Sequence, residues 1–197
     1  HRIITNNLAD ELLLYDVDSN RLWAEETEIL HCVSILERDI DVLKCDYSKC
    51  FEADLVILTA SEKYRVGMRR EDFLVSSAKI CARLFEHLKS FKGILLVVTN
   101  PVDVMTYLLC KYNSPNSKKI IGTGTVLDSY RLKAQLPYMK KDVWCIGEHG
   151  GSLFVPSSFL KHGQKGKTQN EIEKNNIISN KIMEIKGMTN WGITETI

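Results

Sequence analysis

The chain has 197 residues, 44% hydrophobic and 26% charged, a balance that allows one ordinary globular core. Its 26 lysines and arginines nearly balance its 25 aspartates and glutamates, so the composition excludes nucleic acids and polyanionic surfaces as expected partners. The six cysteines form no CxxC pair, no apolar stretch reaches membrane-spanning length and no leader opens the chain, so we expect a reducing compartment, the cytoplasm, and no membrane partner.

Apolar runs and helical patterns alternate along most of the chain. In chain order they predict a strand at 11–16, a helix at 20–31, strands at 39–43 and 54–59, a helix at 71–90, a strand at 93–99, a helix at 102–112, a strand at 119–122, a helix at 126–135 and a strand at 143–147. Residues 61–70 are polar and predict an exposed connection. Strands that alternate with helices predict right-handed βαβ units and a mostly parallel sheet.

The pattern changes after Gly163. Residues 165–169 predict a polar linker, and residues 171–186 predict an amphipathic helix with Ile178, Ile182 and Ile185 on one face. Gly187 then provides a typical helix end. We expect this helix to belong to a second, α+β portion.

Polar residues follow the carboxyl ends of the predicted strands. They are Asp16, Thr59, Asn100 and His149. In open parallel sheets, ligands bind outside these strand ends, so we expect one face of the sheet to carry the functional site.

His149 lies in a glycine-rich run and is the candidate acid–base group, because imidazole titrates near neutrality and passes a proton in either direction. A structural loop histidine is the alternative. A neighbouring carboxylate would fix its tautomer, and Asp128 is the candidate, with Glu148 as the alternative.

Three further charged residues suggest contacts with small molecules. Arg131 follows Asp128 by one helical turn and can clamp a carboxylate through two parallel hydrogen bonds. Arg70 can polarise a carbonyl, although a surface arginine is the alternative. Asp16 can accept both hydroxyls of a ribose, which is typical of NAD, or it is a solvated strand-end acid. The five histidines are scattered, so we expect no metal site.

These residues lie in runs that together resemble the lactate/malate dehydrogenase family, specifically its L-lactate (L-2-hydroxyacid) branch. The runs are LADELLLYDVD (8–18), ADLVILTA (53–60), LLVVTNPVDVMTYL (95–108), KIIGTGTVLDSYRL (119–132), IGEHGGSLFVP (146–156) and KGMTNWGI (186–193). The resemblance implies an α/β fold, with a Rossmann-type doubly wound parallel sheet at 1–147 and the beginning of an α+β substrate domain at 148–197.

The resemblance also implies NAD as cofactor and hydride transfer to C2 of a small 2-oxo acid. His149 would donate the proton to the ketone, Asp128 would orient His149, and Arg131 would pair with the substrate carboxylate. The remaining implied substrate contacts are Arg70 at the carbonyl, Asn100 near the reacting oxygen and the cofactor, and Thr189 and Tyr64 in the substrate pocket. The implied cofactor contacts are Asp16 at the ribose, Thr59, Ala60 and Lys63 along the dinucleotide, and Ile193 near the nicotinamide. The family further implies a homotetramer or homodimer.

The sequence departs from the family pattern in ways that leave alternatives open. It contains no GxGxxG turn, and this turn, the first strand and the end of the substrate domain are either deleted or lie outside this sequence. Tyr64 stands where lactate enzymes of the family usually carry glutamine and malate enzymes arginine. We therefore expect pyruvate/lactate first, a bulkier 2-oxo acid second and oxaloacetate/malate third. A catalytically impaired binding module is the alternative from another class.

Overall fold

The computed structural model describes residues 1–61, 70–113, 117–136, 143–161, 163–186 and 191–194. The strands are β1 (Glu11–Leu14), β2 (Asp41–Lys44), β3 (Leu55–Leu58), β4 (Ile94–Val97) and β5 (Ile120–Gly122). The helices are α1 (Arg2–Thr5), α2 (Ser19–Ile35), α3 (Arg70–Leu88), α4 (Val102–Tyr112), α5 (Val126–Gln135), α6 (Gln164–Lys186) and α7 (Trp191–Thr194). Within these ranges no helix is both long and apolar enough to cross a membrane.

Every strand pairing in the two sheets is parallel, which confirms the predicted α/β class. β1 pairs with β2, and β4 lies between β3 and β5. The described strands form two sheets where the sequence suggested one, because no hydrogen-bonded pairing among these residues joins β1 or β2 to the other three strands. Helices connect the successive strands, as the alternating patterns predicted.

Local signals explain where the helices begin. The Asp18 carboxylate caps α2 by accepting from the backbone N–H groups of Asn20 and Arg21 at 3.1 and 3.2 Å. α4 begins directly after Pro101, where a missing N–H removes no helical hydrogen bond. Both helices therefore have fixed starting points close to strand ends.

Buried side chains form separate clusters around these elements. The largest joins the β3–β4–β5 sheet to α3 and α4, and its members include Leu58, Leu88, Leu95, Met105 and Leu109. A second joins α5 to the segment 143–155 and to α6. A third joins β1, β2 and α2. Because each fully buried leucine or methionine contributes roughly 1.5–3 kcal/mol, these clusters make α4 and α5 firm supports for polar side chains.

The predicted strand at 143–147 is wrong. The segment forms only an isolated antiparallel bridge, between Ile146 and Phe154. Within this continuous apolar run, Val143 and Cys145 pack into the cluster with α5 and α6, whereas Trp144 and Ile146 are exposed. Gly147, at φ 102°, then turns the chain.

The predicted linker at 165–169 is also wrong, because α6 already begins at Gln164. Thr168 is buried, and its hydroxyl donates to the Gln164 carbonyl at 2.9 Å, which supports this first turn. The face carrying Ile178, Ile182 and Ile185 is exposed, and Ile172 supplies a buried apolar contact of the helix. The division into domains at residue 147 stays a prediction.

Candidate active site

The carboxyl ends of β3 and β4 lie side by side. Thr59 and Ala60 follow β3, and Thr99 and Asn100 follow β4. The Thr99 hydroxyl donates to the Ala60 carbonyl at 2.7 Å, which joins the two segments. Thr59, Ala60 and Asn100 are exposed there, as a surface that receives a ligand requires.

Helix α5 fixes the segment that leads to His149. The Thr125 hydroxyl donates to the Cys145 carbonyl at 2.6 Å. The Ser129 hydroxyl accepts from the Cys145 N–H at 2.9 Å and donates to the Thr125 carbonyl at 2.8 Å. Because both polar groups of Cys145 are bonded to α5, the chain that approaches His149 is held along the helix that carries Asp128.

Asp128 and His149 form a close pair of ionisable side chains. His149 Nδ1 lies 2.6 Å from Asp128 Oδ2, and Asp128 is 8% exposed. The neighbouring Glu148 is exposed and accepts a hydrogen bond from Ser152 at 3.4 Å. The structure thus brings together the predicted pair and directs the alternative carboxylate elsewhere.

Arg131 lies on the same face of α5 as Asp128. Its guanidinium donates to Asp128 Oδ1 at 3.4 Å, a long contact between residues three positions apart. Arg131 is partly buried, and this contact uses one of the five N–H donors of a guanidinium. The arrangement therefore leaves donors that can bind a carboxylate beside His149.

The backbone of His149 is held as well as its ring. Its N–H donates to Asp103 Oδ2, in the first turn of α4, at 2.7 Å. The Asn176 side chain on α6 donates to the Gly150 carbonyl at 3.3 Å. Gly147 and Gly150, at φ 102° and 131°, allow the tight turn that these contacts hold. Sequence reasoning missed Asp103 and Asn176.

The candidate cofactor residues lie at separate places along the strand ends. Asp16 follows β1 and is half-buried, and its Oδ1 accepts from the Asp18 N–H at 2.9 Å. A carboxylate has about four acceptor positions, so this contact leaves room for ribose hydroxyls, and the residue fits the group. Ile193 lies in α7, where a Cβ on Gly192 would be 2.9 Å from Leu127 of α5.

Several predicted site residues cannot be placed. Lys63, Tyr64 and Thr189 lie outside the described residues, and the same holds for the side chain of Arg70, which is the first residue of α3. Their assigned roles stay predictions.

A comparison with protein families identifies the chain. The model of the lactate/malate dehydrogenase NAD-binding domain matches residues 1–122. The chain belongs to the lactate/malate dehydrogenase family. The members of this family are oxidoreductases, and the matched NAD-binding domain confirms the predicted cofactor, NAD.

Individual members of the family align with the whole chain, including the residues after 122. The L-lactate dehydrogenase 3 of Bacillus cereus is 31% identical over 220 residues, which include all of this chain and 70% of that protein. A solved lactate dehydrogenase from a Medee basin deep-sea metagenome library has a TM-score of 0.83 at 28% identity, covering 98% of this chain and 69% of its own. The malate dehydrogenase of Aeropyrum pernix also has a TM-score of 0.83, at 27% identity and the same coverage. The fold therefore matches lactate and malate enzymes equally well.

Proposed function

We propose that the protein interconverts an L-2-hydroxy acid and a 2-oxo acid with NAD, and that L-lactate and pyruvate are its first substrates. The observation that carries this proposal is the contact of 2.6 Å between His149 Nδ1 and Asp128 Oδ2, beside the guanidinium of Arg131. An acid–base group, a carboxylate that orients it and an anion clamp are what the reduction of a small 2-oxo acid requires.

The proposed role of His149 is to give a proton to the ketone oxygen and to take it back in the reverse direction. Because Nδ1 is bonded to Asp128, Nε2 is the nitrogen left for the substrate. The Asp128 carboxylate fixes the tautomer and stabilises the imidazolium. Asp128 is nearly buried, so water screens this interaction less than at the surface.

Arginines provide the proposed contacts with the rest of the substrate. Arg131 binds its carboxylate through two parallel hydrogen bonds, a geometry that lysine cannot reproduce. Arg70 polarises the ketone, as the family resemblance implies, and Asn100 binds near the reacting oxygen. The same resemblance assigns Thr189 to the wall of the substrate pocket.

NADH held at this site would supply the hydride for C2, and His149 would supply the proton that completes the 2-hydroxy acid. Asp16 is proposed to hold the adenosine ribose through its remaining acceptor positions. Thr59, Ala60 and Lys63 are proposed to lie along the dinucleotide, with Ile193 near the nicotinamide. The exposure of Thr59 and Ala60 at the end of β3 supports this path.

The order of substrates depends on the relatives and on Tyr64. The similarity to Bacillus cereus L-lactate dehydrogenase 3 favours lactate as the substrate. The equal similarity to solved lactate and malate dehydrogenases favours neither substrate. Tyr64 itself offers no positive charge for a second carboxylate, whereas its neighbour Arg65 carries one, so oxaloacetate stays the third candidate. A bulkier 2-oxo acid is therefore the second candidate. We also propose that the protein assembles as a homodimer or homotetramer.

The test is steady-state oxidation of NADH with pyruvate, a branched 2-oxo acid and oxaloacetate. We expect the highest kcat/KM with pyruvate and a loss of at least about 10³-fold in kcat for His149→Asn. Glu148→Gln is the matched control, since that carboxylate lies next to His149 in the chain but contacts Ser152. Turnover with none of the three acids, in a protein that folds, would favour the impaired module, and full activity of His149→Asn would remove the proposed mechanism.

A further inference from the structure

We propose that Asp103 is a positioning residue, whose carboxylate holds the backbone of His149 so that the imidazole meets the substrate in one place. This inference rests on the proposed function of His149. The inference is based on the hydrogen bond of 2.7 Å from the His149 N–H to Asp103 Oδ2, two groups that are 46 residues apart in the sequence.

Asp103 is attached to a firm part of the molecule. It lies in the first turn of α4, whose Met105 and Leu109 are completely buried in the largest apolar cluster. The segment that carries His149 packs instead into the cluster with α5 and α6. The bond from Asp103 therefore fixes the position of His149 relative to α4, the helix that begins directly after Asn100 and Pro101 at the end of β4.

His149 needs this second point of attachment because it lies in a turn between two glycines. Gly147 and Gly150 both have positive φ and no side chain to anchor the chain. Asp128 fixes only the ring, through Nδ1. If the backbone were free, the ring could keep its bond to Asp128 while Nε2 moved away from the substrate. Asp103 restricts that freedom at His149 itself, and Asn176 of α6 contacts the next residue through the Gly150 carbonyl at the longer distance of 3.3 Å.

A purely structural role for Asp103 predicts different behaviour. An acid in the first turn stabilises a helix through the helix dipole, which requires its charge. Positioning of His149 requires an acceptor oxygen instead. Asp103→Asn keeps an acceptor and removes the charge, whereas Asp103→Ala removes both. Asp103→Ser suits a helix start but is about one bond too short to reach the His149 N–H.

The three variants give the kinetic test, with NADH and the best 2-oxo acid. We expect kcat to fall about 100-fold in Asp103→Ala and Asp103→Ser, because a displacement of about 1 Å has effects of this size, and only about threefold in Asp103→Asn. KM for the 2-oxo acid and the Kd of NADH should change little, since Arg131 and Asp16 are untouched. Equal losses in the Asn and Ala variants would assign Asp103 to helix stability and overturn the proposal.

Amide hydrogen exchange at His149 tests the contact independently of activity. The His149 N–H should exchange at least about tenfold faster in Asp103→Ala and Asp103→Ser than in the wild type, and Asp103→Asn should restore most of the protection. If Asp103→Ala does not fold, Asp103→Ser and Asp103→Asn form the matched pair.

The two proposals fail in different ways. If His149→Asn keeps full kcat, the proposed function fails whatever Asp103 does. If His149→Asn is inactive while Asp103→Ser keeps wild-type kcat, only the positioning role fails. Unchanged exchange at His149 in Asp103→Ser would also overturn it.

Discussion

Replacing Asp128 by asparagine changes charge at the site with almost no change of shape. The new amide occupies the same volume, which matters because Asp128 is 8% exposed. It remains within reach of His149 Nδ1, which lies 2.6 Å from the present carboxylate oxygen. What Asp128→Asn removes is the negative charge that stabilises an imidazolium. It also introduces an N–H₂ donor, which can bind the other ring tautomer, whereas the carboxylate selects one.

The size of the effect follows from this geometry. Two unit charges about 4 Å apart at an effective dielectric constant of about 20 attract by about 4 kcal/mol, and each 1.36 kcal/mol changes a rate about tenfold. The His149 side chain is 30% exposed, so water screens part of this attraction. We therefore expect kcat to fall between about 10²- and 10³-fold in Asp128→Asn.

The assay is stopped-flow oxidation of NADH with saturating pyruvate, together with a titration of NADH fluorescence. Because Asp128 lies away from the proposed ribose contact at Asp16, the Kd of NADH should stay unchanged. Glu148→Gln removes a nearby charge of the same sign and should keep wild-type kcat. A kcat for Asp128→Asn within about threefold of the wild type, with the fold intact, would refute the assigned role of this carboxylate.

Three further predictions concern the surroundings of the pair. Arg131→Lys should raise KM for the 2-oxo acid about 10- to 100-fold with unchanged Kd for NADH, because an ammonium loses the paired geometry; an unchanged KM would contradict the clamp. Ser129→Ala should lower the free energy of unfolding by about 1–3 kcal/mol, measured with urea, because the buried Cys145 N–H loses its acceptor; an unchanged midpoint would contradict this. Burial raises the pKa of the Cys81 thiol from 9.0 to about 11, so its neutral form contributes stability that is fully present below about pH 9 and is lost as the pH rises through about 11. That loss should be on the order of 2 kcal/mol, and the stability of Cys81→Ala should fall less steeply over this range than that of the wild type.

The Cys81 prediction has a matched control. Cys32→Ala removes a half-buried thiol of α2 and leaves the cluster around Cys81 intact. This variant measures the general cost of removing a thiol at a fixed pH. An equal slope in Cys81→Ala and the wild type between about pH 9 and 11 would contradict the burial argument.

The sequence could predict the parallel strands because their signal is local. The runs around β3 and β4 are uninterrupted apolar segments bounded by polar residues, which is typical of parallel strands. The pairing of Asp128 with His149 could also be anticipated, because each residue belongs to a pattern with its own chemical meaning. The structure then placed the two side chains in contact.

Other features left no local signal. Residues 143–147 form a continuous apolar run, as a parallel strand does, but Val143 and Cys145 of this run pack against α5 and α6. The start of α6 at Gln164 was missed because residues 165–169 are polar and include Gly166, which lowers helix propensity. Burial of Thr168 in the first turn offsets this low propensity.

Asp103 illustrates the limit of sequence reasoning. It follows Asn100 and Pro101 in a run that was recognised, yet its contact with His149 lies 46 residues away. No periodicity connects an acid in the first turn of one helix with the backbone of a distant loop. A cue that was available is that a loop histidine with a precise role needs backbone partners, which the sequence did not identify.

The most direct measurement of the central claim is single-turnover transfer of deuterium from NADH, labelled at the transferable position, to C2 of pyruvate, followed by mass spectrometry of the product. The account predicts labelled lactate with the wild type and none on the same time scale with His149→Asn, although both proteins bind NADH with the same Kd. Labelled product formed equally fast by both proteins, or none from a wild type that binds NADH and pyruvate, would contradict it.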